Sequence, residues 1–404
     1  MAVLGPREDG EWSERVVKAC FEFGPLVVWT LMLFTVVRPL RLSRWGNVLL
    51  GALLLVASQK FLIYRMFGGD AFVPDLPERF VNFTGWSYSA TMILFGLSCV
   101  WGVIAKFWRY FRPVGCTRAR VVLPGLAVVA LAVSGWGVWE GVRVPDVQRI
   151  EIPVRGLPEA FDGFRLVQLT DLHCSPAARK ARTAGIVAKV NDLQPDLVCI
   201  TGDFVDGSPE QRADDLSPLA DLRAQYGVFG CAGNHEYYSD YLVWRPLYES
   251  FGVRMLDNAH HVLERGGARI ALGGVTDPAA THNKGKAGPG GHSTVTLETP
   301  NVKKAFAGVP QGLFRILLQH RPIIPQMNEA MGIDLQLSGH THGGAIRGFD
   351  YIVAHMGNHG FVRGFYQVGR MALYVSPGTG QWAGFPLRLG VPAEITEIVL
   401  RRAP

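Results

Sequence analysis

The eleven histidines of this 404-residue chain all lie at or after position 173, and the first 143 residues contain none. Five of them fall, with two aspartates and an asparagine, in short clusters flanked by glycine or acidic residues. The clusters are Asp171-Leu172-His173, Gly202-Asp203, Gly233-Asn234-His235-Glu236, Gln319-His320 and Gly339-His340-Thr341-His342-Gly343-Gly344. Imidazole, carboxylate and one amide are the side chains that build a two-metal hydrolytic centre. One such cluster would carry little weight. Five in order along one stretch of chain are hard to produce by accident.

Each cluster follows a predicted strand. Asp171 comes after Val167–Leu169, Asp203 after Val198–Thr201, Asn234 after Val228–Ala232, His320 after Ile316–Leu318 and His340 after Leu335–Leu337. In open α/β sheets ligands bind beyond the carboxyl ends of the strands, so these loops are expected to converge on one crevice. The neighbouring Gly202, Gly233, Gly339, Gly343 and Gly344 allow sharp exits and close backbone approach.

The elements behind those loops alternate. Strand-like runs at Phe164–Leu169, Leu197–Thr201 and Val228–Ala232 are separated by predicted helices near Ala177–Leu193 and Leu216–Gln225. Further strands are expected at Arg269–Gly273, Arg315–Leu318, Leu335–Leu337 and Ala372–Val375. That alternation predicts α/β layers around a largely buried sheet. Thr281–Pro300, with Asn-Lys-Gly-Lys and Gly-Pro-Gly-Gly, reads as an insertion rather than a domain boundary.

The N-terminal part differs. It holds eight of the ten tryptophans and four apolar runs, about Ala19–Val37, Val48–Phe67, Ser87–Phe107 and Val121–Trp139. Each is near the ~20 residues that cross a bilayer, with Trp45, Trp86, Trp108, Trp136 and Trp139 near their ends as interfacial anchors. Residues 1–143 are therefore expected to form a multi-pass transmembrane region and 144–404 the catalytic domain. Arg38, Arg41 and Arg44 follow the first run, and Lys106, Arg109, Arg112, Arg118 and Arg120 follow the third. The second loop offers only Arg65 and Arg79. Positive-inside logic places the first and third loops in the cytoplasm and the catalytic domain outside it. The N-terminal part has 15 Lys and Arg against nine Asp and Glu, while the remainder is balanced at 25 each. The basic excess thus belongs to the membrane part, and no nucleic-acid partner is expected. The six cysteines form no CxxC pair and read as small buried hydrophobes.

The ordered series Asp-x-His, Gly-Asp, Gly-Asn-His-Glu, His, Gly-His-x-His resembles the calcineurin-like metallophosphoesterase superfamily over about residues 160–400. Within it the chain looks most like membrane-associated bacterial phosphoesterases with a Gly-His-Thr-His-Gly-Gly motif, although Ala345 replaces the usual Gln there. The Tyr374–Gly380 and Pro386–Glu394 segments look like that group too. The resemblance implies a four-layer α-β-β-α sandwich and two divalent ions (Mn, Fe or Zn). One ion would be held by Asp171, His173, Asp203 and His342, the other by Asp203, Asn234, His320 and His340. Asp203 would bridge them, as a carboxylate with two oxygens can. A hydroxide between the ions would attack phosphorus in line. His235 would protonate the leaving oxygen and Asp206 would orient His235. Relatives that act on phosphoproteins carry an arginine where this chain has Gly207, and its loss favours a diester or pyrophosphate over a monoester dianion.

The expected partners are a phosphorylated lipid or other phosphodiester substrate and the membrane lipids themselves, since four spans exceed what an anchor needs. Similar proteins include hydrolases of UDP-diacylglucosamine, a cytoplasmic lipid that conflicts with the outward orientation. The alternatives are a phosphodiesterase for soluble nucleotide-type diesters, an inactive membrane scaffold, and a transporter. The scaffold is disfavoured by the intact ligand set, and the transporter by the few ionisable residues in the spans. His260, His261, His282, His292, His355 and His359 match no motif. Phe204, Tyr237, Tyr238, Trp244, Phe361, Phe365, Trp382 and Phe385 are core aromatics by default, some of which would line an apolar trough.

Overall fold

The computed structural model describes residues 9–111, 118–283, 298–356 and 360–403. It divides into two compact units, Met1–Val138 and Trp139–Pro404.

The first unit is helical. Helix α1 (Asp9–Met32) passes through a π-helical turn, Leu33–Val37, into the short α2 (Arg38–Leu40), and is followed by α3 (Arg44–Ser58), α4 (Lys60–Gly68), α5 (Glu78–Phe111) and α6 (Ala119–Val142). Phe21–Leu40, Glu78–Trp108 and Ala119–Val142 are each long and apolar enough to cross a membrane, and α3 and α4 pass the same test only as a pair, bent by 66°. The expected second span is thus a bent helix pair, with the shape of a broken span or a re-entrant loop. The break falls on Ser58-Gln59-Lys60, the polar step in an apolar run, and all three side chains are buried. Local bonds meet part of this polar step: the Ser58 hydroxyl donates to Leu55 O and Gln59 Nε2 donates to Ser58 Oγ. The Lys60 ammonium lies 4.9–5.7 Å from the Phe61, Tyr64 and Tyr88 ring centroids, a cation–π setting for a charge among apolar helices.

The second unit carries the strands. In chain order they are β1 (Asp146–Arg155), β2 (Arg165–Leu169), β3 (Leu197–Thr201), β4 (Val228–Cys231), β5 (Val253–Met255), β6 (Ala259–Arg265), β7 (Ala268–Gly274), β8 (Phe314–Leu318), β9 (Leu335–Ser338), β10 (Gly364–Val368), β11 (Met371–Val375) and β12 (Glu394–Ala403). Between them run α7 (Lys180–Asp192), α8 (Pro209–Leu216), α9 (Asn234–Tyr238), α10 (Tyr241–Ser250), α11 (Val302–Ala305), α12 (Pro325–Ala330) and α13 (Phe349–Met356). Among the described residues the strands form two six-stranded sheets, ordered β1-β12-β2-β3-β4-β5 and β10-β11-β9-β8-β7-β6. β2, β3 and β4 run parallel, as do β7, β8, β9 and β11. This is the mixed α/β architecture the alternation predicts.

Residue alternation explains the layering. On β3, Leu197 and Cys199 face a core shared with the other sheet, while Val198 and Ile200 join a second core with α7 and α10. On β8, Phe314, Ile316 and Leu318 enter the shared core and Leu317 a third core beyond it. Strands buried on both faces read as continuous apolar runs, which is why they were legible. The predicted helix at Leu216–Gln225 lies earlier, as α8 with a 3-10 turn at Ser217–Asp221. Ser208 and Gln211 form a capping box that starts it there, with Pro209 in the first turn. The insertion at 281–300 lies largely outside the described residues, as does His292, and nothing is described for the side chains of His282, His355 and His359.

Ile316 is fully buried between the sheets. Ile316→Ala should cost about 2–5 kcal/mol, the usual range for such a cavity. The expected outcome is a lower midpoint in urea unfolding of the detergent-solubilised chain, with its helical far-UV signal in the absence of urea retained.

Candidate metal centre

The five clusters meet at one place. β2, β3 and β4 of the first sheet and β8 and β9 of the second all end there, so the loops from both sheets converge over the polar end of the shared core. Gln168 on β2 ties the two sheets just below, donating to Thr201 Oγ1 (2.9 Å) and to Ser338 O on β9 (3.0 Å).

The backbone turns sharply at the site. Asp171, His173, Asp203, His340 and His342 adopt positive φ values of 43–71°. For non-glycine residues this is a sparsely populated region that costs on the order of 1–3 kcal/mol each, and it clusters at functional sites. Gly233 and Gly339 serve differently from the expected sharp exits, since neither has positive φ. They allow close approach: a Cβ on Gly233 would collide with the Asp203 carboxylate, and one on Gly339 with Thr170 and the Asp171 carboxylate.

The side chains form two adjoining groups. In one, Asp171 Oδ1 lies 3.6 Å from His342 Nε2 and 4.0 Å from His173 Nε2. In the other, His320 Nε2 lies 3.1 Å from Asp203 Oδ2 with His340 close by. The same Asp203 oxygen is 3.6 Å from His173 Nε2, which joins the two groups. Asn234 lies one residue before His235, whose backbone amide donates to Asp203 Oδ1 (2.9 Å).

Several features fit a cation. His173 donates from Nδ1 to Asp206 (3.2 Å), so in the neutral ring Nε2 carries a lone pair, and that Nε2 sits 3.1 Å from His342 Nε2. His320 donates from Nδ1 to Thr201 O (2.8 Å), which likewise turns Nε2 inward. Asn234 Oδ1 is buried and accepts no hydrogen bond. Inward lone pairs and an orphaned amide oxygen beside two carboxylates are what a divalent ion satisfies.

The electrostatics agree. Burial would raise Asp203, but His320 and His235 hold it well below the usual carboxylate range. Burial is the main cause that raises Asp171. Burial works against charge on His320, yet the Asp203 carboxylate more than reverses it and lifts the ring to about 10. His235 follows the same logic: against burial, Asp203 and Asp206 raise it to about 9. Its Nδ1 donates to Asp206 Oδ1 at 2.6 Å, and its side chain is 18% exposed. Asp206 is buried, but His173 and His235 pull it below the ordinary range. It therefore holds two imidazoles, one in the metal-site group and one at the mouth, where the sequence pointed to His235 alone.

Other contributors were given no role by the sequence. Glu236 accepts from the backbone amides of Asp203 (2.8 Å), Phe204 (2.7 Å) and Gly233 (2.7 Å), which stitches the β3 and β4 loops together. Burial and then Asp203 raise its carboxyl to about 7. Fully buried Arg388 donates to Pro377 O (2.8 Å) and Gly380 O (2.5 Å) and lies 3.3 Å from His342 Nδ1. Only the acidic neighbour of a Gly-Asn-His run could have flagged Glu236. Nothing local could have flagged Arg388. Among the aromatics, Phe204, Tyr237 and Trp244 are core, whereas Tyr238 and Trp382 stand 5.4 and 6.0 Å from the His235 ring. His260 donates from Nδ1 to Ala305 O and His261 packs on Phe229, both away from the centre. Cys174 points at Ala178 O, and burial lifts its thiol to about 12.

Comparison with known proteins agrees with this geometry. The calcineurin-like phosphoesterase family model matches residues 164–344, the stretch that supplies all five clusters. A Bos taurus transmembrane protein with metallophosphoesterase domain is 34% identical over 328 residues, covering 77% of this chain and 70% of that protein. An uncharacterised metallophosphoesterase of Helicobacter pylori is 30% identical over 364 residues, 89% of this chain and 90% of its own. A 5'-nucleotidase precursor from Thermus thermophilus aligns in structure with a TM-score of 0.37 at 14% identity, covering 59% of this chain and 54% of that one. Identity at this level over nine-tenths of both the present chain and its Helicobacter relative makes this protein a member of the calcineurin-like metallophosphoesterase family, and hence of the phosphoester hydrolases.

Proposed function

We propose that this chain is a membrane-integral two-metal phosphoesterase that cleaves a phosphodiester or pyrophosphate bond of a lipid-linked substrate. The observation that carries it is Asp203 Oδ2 lying within 3.1 Å of one histidine group and 3.6 Å of the other. Asp171, His173, Asp203 and His342 would hold one ion, and Asp203, Asn234, His320 and His340 the second. Two divalent ions held there would lower the pKa of a water and neutralise charge on phosphoryl oxygens.

The remaining chemistry falls to the protein. Asp203 and Asp206 favour the protonated form of His235, which is partly open at the mouth and has Nδ1 engaged by Asp206. Nε2 is the nitrogen left to donate to the leaving oxygen. Asp206 fixes the ring, as a carboxylate orients the imidazole of a hydrolytic triad. Gly207 presents no side chain; its N–H meets Ser239 Oγ and its carbonyl accepts from Trp244 Nε1. Without a fixed guanidinium at that position, a dianionic monoester has less to grip than a diester. The apolar N-terminal helices support a lipid substrate over a soluble diester.

In this reading the catalytic domain lies outside the cytoplasm. Arg120 donates to Leu40 O (3.0 Å) and Arg41 O (2.8 Å), so the arginine-rich ends of α2 and α6 share one side. With α5 crossing once to reach that side, the bent α3–α4 pair must also cross. Four crossings return the chain to the side on which it began, opposite the basic loops.

Four measurements test these readings. Metal analysis should find two divalent ions per chain, and Asp203→Ala should lose both metal and activity while remaining folded. His320 must lose its proton to ligate, and in the free protein it holds that proton up to about 10. Metal binding at pH 7 should therefore release protons and tighten as pH rises towards 9, read by calorimetry in buffers of different ionisation enthalpy. Unchanged affinity between pH 6 and 9 would count against His320 as a ligand.

His235→Ala should lower turnover by roughly 10²–10⁴ for an alkyl leaving group and far less for nitrophenolate, which needs no proton. Equal losses for both would remove the acid assignment. A reporter fused after Pro404 should behave as extracytoplasmic. Protease protection that finds residues 150–404 inside would reverse the orientation and favour nucleotide-linked lipids.

A further inference from the structure

β7 is a further strand that ends beside the metal centre. It runs parallel to β8 in the second sheet, and Asp277 comes soon after its last residue, Gly274. The Asp277 side chain is fully buried, a costly place for a carboxylate unless donors surround it. Two donors do. The Ala279 amide donates to Oδ1 (2.8 Å), and Arg321 donates from Nε to Oδ2 (2.9 Å). Arg321 is the residue after His320 in the loop that leaves β8. The ion pair thus fixes the guanidinium by its stem side, next to a candidate metal ligand.

The far side of that guanidinium is unused. Among the described residues Nη1 and Nη2 make no hydrogen bond, and the Arg321 side chain is 26% exposed. Against burial, Asp277 first and then Tyr238 and Asp203 favour its charged form. Burial, His320 and then Arg321 hold His340 well below the ordinary imidazole range. The charge therefore sits on the flank of the Asp203, His320 and His340 group. Tyr238, which shares its field, is 59% exposed and has its ring 5.4 Å from that of His235. The 3-10 turn Pro278–Asn283, just after Asp277, packs on α9, the helix that carries Asn234 and His235. Arg321 and His235 thus border one opening, Arg321 from the second sheet and His235 from the first. A partner for Asp277 alone would need one donor, which a lysine supplies. An arginine keeps a planar pair of donors in reserve, spaced to match two oxygens of a phosphoryl group.

We propose that Arg321 is the residue that grips phosphate in this site: Nη1 and Nη2 hold unesterified phosphoryl oxygens of the substrate, while Asp277 positions the fork through Nε. The β8 loop then supplies the guanidinium that Gly207 does not present on the β3 loop. The grip comes from the flank of the His320 group instead of from the residue after Asp206. The inference deepens the hydrolase reading and rests on it for the nature of the substrate, but its first readout is binding, apart from turnover.

The test uses the full chain in detergent, supplied with manganese, and follows the binding of inorganic phosphate by calorimetry. Arg321→Lys keeps a cation for Asp277, but its single nitrogen cannot serve the carboxylate and a phosphate together. Phosphate affinity should fall about tenfold, with metal content and thermal unfolding unchanged. Asp277→Asn/Arg321→Gln removes both charges at once, leaves neither buried alone, and should show a loss at least as large. Asp277→Asn by itself should weaken phosphate binding about threefold and change nothing further once Arg321 is replaced by Gln, as expected of a residue that acts through Arg321. A purely structural Asp277 would lower the unfolding temperature and leave phosphate affinity alone. On bis(nitrophenyl) phosphate the Arg321→Lys loss should appear in KM, and a loss confined to kcat would count against a grip on the substrate. Phosphate affinity within about twofold of wild type in Arg321→Lys and in the double variant, or no phosphate binding by the wild type, overturns the proposal. A wild type that binds phosphate but hydrolyses nothing would reject the hydrolase reading and leave the affinity comparison to decide Arg321. A wild type that takes up no manganese would reject the two-metal reading, and the same comparison on the metal-free chain would decide Arg321.

Discussion

The Asp203 carboxylate stands between two groups of histidines in a pocket from which water is largely excluded, and most of the catalytic unit is arranged around that fact. A carboxylate so buried is expensive unless donors and positive charge surround it. His320 and His173 approach Oδ2, and the backbone amide of His235 donates to Oδ1. Glu236 holds the amides of Asp203 and Phe204 so that the loop cannot relax outward. The left-handed backbone at Asp171, His173, Asp203, His340 and His342 follows from the same demand. Side chains from five separate loops can reach one point only if each loop turns back immediately after its strand.

Strain of that kind needs a rigid support, and the two sheets provide it. Their shared core is apolar up to the last residues of the strands, then changes to a polar layer of Gln168, Thr201 and Ser338 directly beneath the site. The apolar part excludes water and fixes strand positions, and the polar part locks one sheet against the other with directional bonds. Asp206 extends the arrangement to the chemistry. By accepting from both His173 and His235 it couples the position of a histidine in the Asp171 group to that of the ring at the mouth. A shift in one ring is therefore felt by the other.

The N-terminal helices follow a parallel rule in a different solvent. Where α3 gives way to α4, the polar Ser58-Gln59-Lys60 step is turned inward, with hydroxyl and amide bonded locally and the ammonium set among aromatic rings. In lipid a freed backbone or side-chain group must find its partner within the protein. In both units the irregular backbone is therefore found where buried polar groups are gathered.

The division between what was legible and what was not has a physical basis. The candidate site residues are local in sequence, because each lies within a few positions of a strand end. Strands buried on both faces leave continuous apolar runs that point to those ends. Hence β2, β3, β4, β7, β8, β9 and β11 and the nine residues from Asp171 to His342 could be named from the chain alone, as could the apolar spans. Tertiary structure decided the rest. The pairing of β12 parallel to β1 and antiparallel to β2 joins residues more than two hundred positions apart, which no local pattern encodes. Arg388 reaches His342 through a loop with no ligand motif of its own, and the second partner of Asp206 appears only when the β2 and β3 loops are folded together. The bend at Gln59 was hidden because hydropathy averages over a window and does not register the direction in which a polar step turns. Composition and spacing fix which groups are available; only the closed packing of two sheets fixes which of them share a proton, a carboxylate or a cation.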